Sequence, residues 1–395
     1  MQLALHGGIP ERAQPIRTTV AVTAKTRDRI DQLVADGFYS DYYNGPLARE
    51  FEYAFASWHG PASHAVAVNS GTSALHLSLA AVGVGPGDEV IVPAACYVSA
   101  ATAIAQLGAV PVTCDIEPHS LTLDPAAAQR LVGPRTKAIL PVHFWGYPAD
   151  VSRLRELCDE HGLALVEDAC QGPGAAVGGG TVGTFGDCAG YSFGNRKHIG
   201  TGEGGMVLTR TAALAERIRV LSNVGKGPGW DDYESLGYSC RMVEFSALLG
   251  LDGLARLDGE IAARRVAVEC YGRALADTTL TPLPEPQWGR SVYFKLPILL
   301  PAKHLADRAM VSEAVSAENV SCRVPHRPLY AIEWLARWQQ EHGRYRSRDD
   351  CPVAAELLPR VIEVETGPNL TEDEADVSAR AVLKVWRYVN RNSPG

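Results

Sequence analysis

Over its first two-thirds the chain alternates short apolar runs with stretches of helical period, and that alternation limits the folds open to it. The apolar runs fall at 64–68, 88–93, 110–116, 136–143, 163–168, 188–193 and 204–209. Between them, helical spacing occurs at 71–82, 98–107, 124–132, 150–161 and 212–222. Continuous apolar strands separated by helices predict a mostly parallel sheet with helices on both faces. In such a sheet the ligand crevice lies at the carboxyl ends of the strands. The pattern then changes. Residues 242–275 read as one long helical stretch, Pro282–Pro286 as a loop and Tyr293–Leu299 as a strand. This predicts an N-terminal arm and large domain over 1–255 and a small C-terminal α+β domain over 256–395. A chain of 395 residues that is 46% hydrophobic has ample material for two cores. No internal repeat or low-complexity linker interrupts it.

Composition excludes several classes of partner. The net charge of −8 argues against nucleic acid and anionic membrane. No apolar run reaches membrane-spanning length, and the first ten residues lack the features of a signal peptide. Nine cysteines without a C-x-x-C pair read as scattered thiols, so a cytoplasmic setting is expected. Cys170 and Cys188 read as small buried apolar residues. The 11 histidines show no metal-binding spacing, so no metal is expected. Gly178–Gly183 fits G-x-G-x-x-G, yet no apolar strand leads into it and no helix follows. It reads as a hairpin turn.

Three features carry chemistry. Lys197 is one of only seven lysines, and glycines cluster just after it at Gly200, Gly202, Gly204 and Gly205. A desolvated lysine amine can lose its proton and attack a carbonyl, which a guanidinium cannot. The motif alone fits a surface lysine in a flexible loop equally well. Asp168 ends the run 163–168, where a carboxylate could hold a proton on a pyridine nitrogen. Asn69-Ser70-Gly71-Thr72-Ser73 follows an apolar strand and opens a helix. Its free backbone N–H groups suit a phosphate, and Thr72 and Ser73 could cap the helix or bind that anion. An ordinary helix cap is the simpler reading of that segment taken alone.

Together the three features suit pyridoxal phosphate, and the chain resembles the DegT/DnrJ/EryC1/StrS family of sugar and aminocyclitol aminotransferases. The resemblance runs through Gly45-Pro46, 69–75, 87–93, 166–171, 192–197, 202–205, Arg241-Met242 and 368–371. It implies the aspartate-aminotransferase-like fold (fold type I). It also implies pyridoxal 5′-phosphate as cofactor, held as an imine by Lys197, which then moves the proton. Asp168 would pair with the ring nitrogen, Gln171 with the ring hydroxyl, and Tyr97 would stack on the ring. Gly71, Thr72, Ser73 and Ser192 would hold the phosphate. The family's Gly-x-Asn-x-Arg-Met stretch, which crosses a homodimer to the neighbouring phosphate, here reads Gly237-Tyr238-Ser239-Cys240-Arg241-Met242. Ser239 is shorter than the usual Asn.

The implied reaction moves an amino group from L-glutamine or L-glutamate to a keto-cyclitol or keto-sugar, in aminosugar or secondary-metabolite biosynthesis. The opening Leu5–Pro10 and Glu244-Phe245 look more like the aminocyclitol and aminohydroxybenzoate branch. Tyr42, Tyr43, Trp145, His326, Arg327 and Tyr330 have the flat faces and polar tips that suit a polyol ring. Each also fits a core or dimer-interface position. A dehydratase or other lyase on the same fold, an aromatising enzyme like aminohydroxybenzoate synthase, and a non-catalytic regulator are the alternatives. Retention of Lys197 counts against the dehydratase, and no basic patch supports the regulator.

Overall fold

The computed structural model describes residues 2–17, 21–42, 45–61, 63–229, 231–368 and 370–392. Among the described residues, nine strands occupy the first part of the chain: β1 (His64–Val68), β2 (Glu89–Pro93), β3 (Val110–Cys114), β4 (Thr136–Ile139), β5 (Ala164–Asp168), β6 (Ala176–Val177), β7 (Gly180–Thr181), β8 (Cys188–Ser192) and β9 (Gly205–Thr209). Seven of them form one sheet in the order β1-β9-β8-β5-β4-β2-β3. The run from β3 to β8 is parallel, and β9 is antiparallel to both β1 and β8. The expected α/β fold with a mostly parallel sheet is therefore present.

Both faces of this sheet are covered, which is why its strands are apolar throughout. Ile91, Ile139 and Leu165 point into one apolar cluster, with Phe51, Phe55 and Leu154. Val90, Val92, Ala138 and Val166 point into another, with Leu75, Leu79 and Ile104. The alternation is the two-residue period of a strand. β4 stops at Ile139, short of the expected 143, because Pro141 has no N–H to donate. β6 and β7 pair as a hairpin whose turn is Gly178 and Gly179, with φ of 54° and 89°. The glycine-rich run there is a turn, as read.

Two helices precede the sheet where none was anticipated, Ala24–Asp36 and Pro46–His59. Both have local signals. The Thr23 hydroxyl accepts from Thr26 N–H, and Pro46 occupies the first turn of its helix. Ala48, Phe51, Phe55, Ala56 and His59 form its buried stripe.

Beyond the sheet, the stretch 242–275 is two helices rather than one, Glu244–Leu254 and Leu257–Leu275. The break falls beside Arg256, whose guanidinium reaches back to Asp252 and on to Glu260. A second sheet follows. It contains β10 (Thr281–Pro282), β12 (Lys295–Leu299), β13 (Cys322–Arg323) and β14 (Val361–Glu365) in the order β10-β12-β14-β13. The short strand β11 (Gly289–Arg290) instead joins β6. Pro282 sits on the edge strand β10, where a missing N–H costs little. Leu296, Ile298, Ile362 and Val364 pack under the helix Glu372–Asn392 through Val382, Val385 and Trp386. Leu3 and Ile16 join this same cluster, so the first residues of the chain lie on the C-terminal part. Buried Glu318 holds them there by accepting from Ala4 N–H, Glu11 N–H and the Lys384 amine. No helix among the described residues is long and apolar enough to cross a membrane.

Candidate active site

The carboxyl ends of β5 and β8 and the start of the helix Gly71–Ala81 converge. Ser70 caps that helix: its hydroxyl accepts from Ser73 N–H at 3.1 Å. The capping role expected for Thr72 or Ser73 therefore belongs to Ser70, because the cap must sit just outside the first helical residue. The Ser73 hydroxyl is already engaged, 2.9 Å from Ser70 Oγ and donating to Asn69 Oδ1 at 2.7 Å. Gly71 is required by close approach. A Cβ there would stand 2.6 Å from Ser192 Cβ and 2.9 Å from Cys170 Sγ. The helix N-terminus is thereby pressed against Ser192 at the end of β8 and against the segment that follows Asp168.

Asp168 ends β5 and is 3% exposed. Its Oδ1 accepts from Cys170 N–H at 3.0 Å. Burial pushes its carboxyl above the usual range, against the opposing pull of the Cys170 bonds and then of Lys197 and His143. Glu167, next along the strand, points to the other face. It accepts from Gly183, Phe185 and Gly186 N–H and pairs with His143 Nε2 at 3.1 Å. One strand end thus carries two buried carboxylates. Glu167 is satisfied by the turn beneath it, while Asp168 is bonded by the Cys170 backbone and side chain.

Lys197 is half-buried just beyond β8, with its backbone N–H on Gly194 O at 2.8 Å. Its amine stands 4.9 Å from the centre of the Phe294 ring. Burial pushes the amine below the ordinary lysine range; Cys170 and Asp168 oppose this, and the positive Arg323 adds to it. A depressed amine is the form that attacks a carbonyl. His198 beside it is buried and pushed well below the usual histidine range, chiefly by desolvation. It contributes a neutral ring packed on Phe294.

Gln171 is 9% exposed, and its Oε1 accepts from Trp145 N–H at 2.7 Å. With the oxygen held, only the amide NH₂ remains to donate. Tyr97 is 48% exposed and packs edge-on against His326, with ring centres 5.1 Å apart. Exposed Arg327 and half-buried Tyr330 lie on the same loop, which is joined to the Tyr97 loop by Leu329 N–H on Ala94 O at 3.0 Å. Trp145 is different. It is 1% exposed and its indole N–H donates to Glu363, so its ring offers no polar tip to a ligand. Tyr42 is exposed between the Arg241 guanidinium and the Lys226 amine, 5.0 and 5.6 Å from its ring centre. Tyr43 lies outside the described residues. Ser239 is exposed on a segment tied to its own chain by Asn69 N–H on Cys240 O.

Phe294 and Arg323 were not anticipated. They come from the second sheet, more than ninety residues after Lys197, and no local spacing marks them. These donors suit a phosphorylated pyridine. A helix N-terminus stands beside hydroxyls, a carboxylate is buried at a strand end, and burial pushes a nearby amine below the ordinary lysine range.

A sequence profile of the DegT/DnrJ/EryC1/StrS aminotransferase family matches residues 23–382. GDP-perosamine synthase of Caulobacter vibrioides is 36% identical over 337 residues, covering 84% of this chain and 88% of that protein. L-glutamine:2-deoxy-scyllo-inosose aminotransferase of Streptomyces lividus is 34% identical and covers 98% of both chains. The crystal structure of S. venezuelae DesV, in complex with a ketimine intermediate, superposes with a TM-score of 0.83 at 32% identity, covering 91% of this chain and 94% of that one. The protein is an aminotransferase whose cofactor is pyridoxal 5′-phosphate, and it belongs to the DegT/DnrJ/EryC1/StrS family of sugar and aminocyclitol aminotransferases.

Proposed function

We propose that the protein transfers the amino group of L-glutamine or L-glutamate to a keto-cyclitol or keto-sugar, in two half-reactions at one site. The observation that carries this reading is the amine of Lys197, depressed by burial in the turn just beyond β8, together with the buried carboxylate of Asp168 at the end of the neighbouring strand β5. The bound cofactor supplies the electron sink that stabilises negative charge on the substrate carbon. Lys197 carries the cofactor covalently. Its amine would take the proton from the donor α-carbon as general base and return it as acid. Burial lowers the proton affinity of that amine below the ordinary lysine range. The Asp168 carboxylate would accept from the ring N–H and keep that proton in place. Gln171 donates its NH₂ to the ring oxygen. Gly71, Thr72, Ser73 and Ser192 line the phosphate end, and Tyr97 covers the ring.

The acceptor class rests on two named relatives. One is a 2-deoxy-scyllo-inosose aminotransferase that uses L-glutamine, and it aligns over nearly the whole of both chains. The other is a nucleotide-sugar enzyme that aligns over a shorter part. His326, Arg327 and Tyr330, on the loop packed against Tyr97, form the wall for the acceptor. Tyr42 serves a neighbouring site across a homodimer, together with Ser239 and the cations beside it. Trp145 is not in this set, because its ring is buried.

The test has two parts. Borohydride reduction of the cofactor-loaded enzyme followed by peptide mapping should place the label on Lys197. In a separate, unreduced sample, glutamine or glutamate should convert the cofactor to its aminated form in a single turnover, and 2-deoxy-scyllo-inosose should regenerate it. A label on another lysine, or wild-type turnover by Lys197→Ala, overturns the site.

A further inference from the structure

Trp145 occupies the left-handed region, with φ 55° and ψ 10°, which a bulky side chain rarely adopts. The next residue, Gly146, has φ 87°, and a Cβ there would stand 2.7 Å from Phe294 N. This turn touches the site on two sides. The Trp145 N–H is the donor that fixes the Gln171 oxygen, and Gly146 O accepts from Val292 N–H at 3.0 Å, two residues before Phe294.

The Trp145 side chain is held from the second sheet. Its indole N–H donates to Glu363 Oε2 at 2.5 Å, with both side chains buried. The other oxygen of Glu363 takes the Lys295 amine at 2.7 Å and Arg323 Nε at 2.6 Å. Arg323 is the cation that acts on Lys197, and Lys295 adjoins Phe294 in the chain. A buried carboxylate held by three donors fixes its neighbours, and removing one contact leaves another buried group unpaired. Glu363 therefore joins the loop that orients Gln171 to the strands that flank Lys197.

We propose that Glu363 is a positioning residue of the active site: through the Trp145 turn it holds the Gln171 amide with its NH₂ toward the cofactor ring. The inference rests on the reading above that Gln171 donates to the ring oxygen. Glu363 itself touches no reacting atom.

A glutamine at 363 cannot replace it. If its oxygen faces Trp145, its NH₂ meets Lys295 and Arg323; if its oxygen faces those cations, its NH₂ meets the indole N–H. Trp145→Phe is the second perturbation. It removes the indole N–H, keeps an aromatic ring in the core and leaves the Lys295 and Arg323 pairs intact.

The measurement is a double-mutant cycle with Gln171→Ala, read by two quantities other than turnover. These are the dissociation constant of pyridoxal phosphate from the cofactor-free protein and the pH midpoint of the visible band of the loaded enzyme. Gln171→Ala alone should weaken cofactor binding about three- to tenfold, the range for one hydrogen bond, and shift the midpoint. Glu363→Gln and Trp145→Phe should each do the same in the parent. In the Gln171→Ala background each should change binding by less than about twofold, because residues acting through one contact are not additive. Equal effects in both backgrounds, or none in the parent, overturn the role of Glu363 and leave the Gln171 reading standing. A Gln171→Ala protein that matches the parent in both quantities overturns the Gln171 reading, and the inference falls with it.

Discussion

Acidification should find a weak point at His59. The ring is buried between Phe55 and Tyr191, with centres 4.6 and 5.2 Å away. Nδ1 meets Phe55 O at 3.0 Å, and Nε2 lies 2.8 Å from the Tyr191 hydroxyl. Desolvation lowers its pKa from 6.5 to about 4, against smaller opposing contributions from the Phe55 bond and the charge of Glu167. The unfolded chain thus takes up this proton before the folded protein does. Stability is unaffected above the unfolded value, falls as the pH drops below it, and levels off below the folded value. From those two values the loss is about 2 kcal/mol near pH 5 and about 3 kcal/mol near pH 4. Since Tyr191 directly precedes Ser192, the end of β8 is loosened as well.

His59→Phe keeps an aromatic ring and removes the titration. At about pH 7.5 it should be less stable than the parent by roughly 1–2 kcal/mol, for the two lost hydrogen bonds. Urea unfolding at fixed protein concentration, across a pH series, gives the difference between the two proteins. The gap should close and then reverse as the pH falls toward 4. Parallel curves over the whole range would show that His59 is not held neutral, and the desolvation argument would fail.

Three further outcomes are expected. Asp168→Asn should fold and bind cofactor through the phosphate end, yet its half-reaction with glutamine should slow by about 100-fold or more in stopped-flow absorbance; an undiminished rate would remove Asp168 as the ring partner. Gly71→Ala should push the helix start from Ser192 and Cys170, lowering stability by about 1–3 kcal/mol and weakening cofactor binding, and an unchanged dissociation constant would refute the close approach. Ser239→Asn should tighten cofactor binding about threefold by supplying a longer donor across the dimer, and equilibrium sedimentation should show at least a dimer; a fully active monomer would remove the shared site.

How much of this was legible beforehand follows from the range of each interaction. The strands and crossover helices of the large sheet were readable because buried parallel strands must be apolar on both faces. Asp168 and the turn at Gly71 could be placed from local spacing, since each sits at the end of its own element. The turn at Gly178 was legible for the same reason. Lys197 and Gln171 instead lie in the turns beyond β8 and β5, and the role of Gln171 came from the family resemblance. The cap residue was misplaced by two or three positions, because Ser70, Thr72 and Ser73 all have hydroxyls and only the backbone angles decide which lies outside the helix.

Other features exist only in three dimensions. Trp145 looked like a ligand contact by its type, yet Glu363, more than two hundred residues away, draws its indole N–H into the core. Arg323 and Phe294 flank Lys197 from the second sheet with no sequence mark of their own. Burial sets the proton affinities of Lys197, Asp168 and His59, and burial belongs to the packed chain rather than to any segment. Sequence alone determined which groups could do the chemistry, because composition and local period are properties of neighbours. Tertiary structure decided which of those groups are desolvated and which way they point, because that depends on contacts made across hundreds of residues.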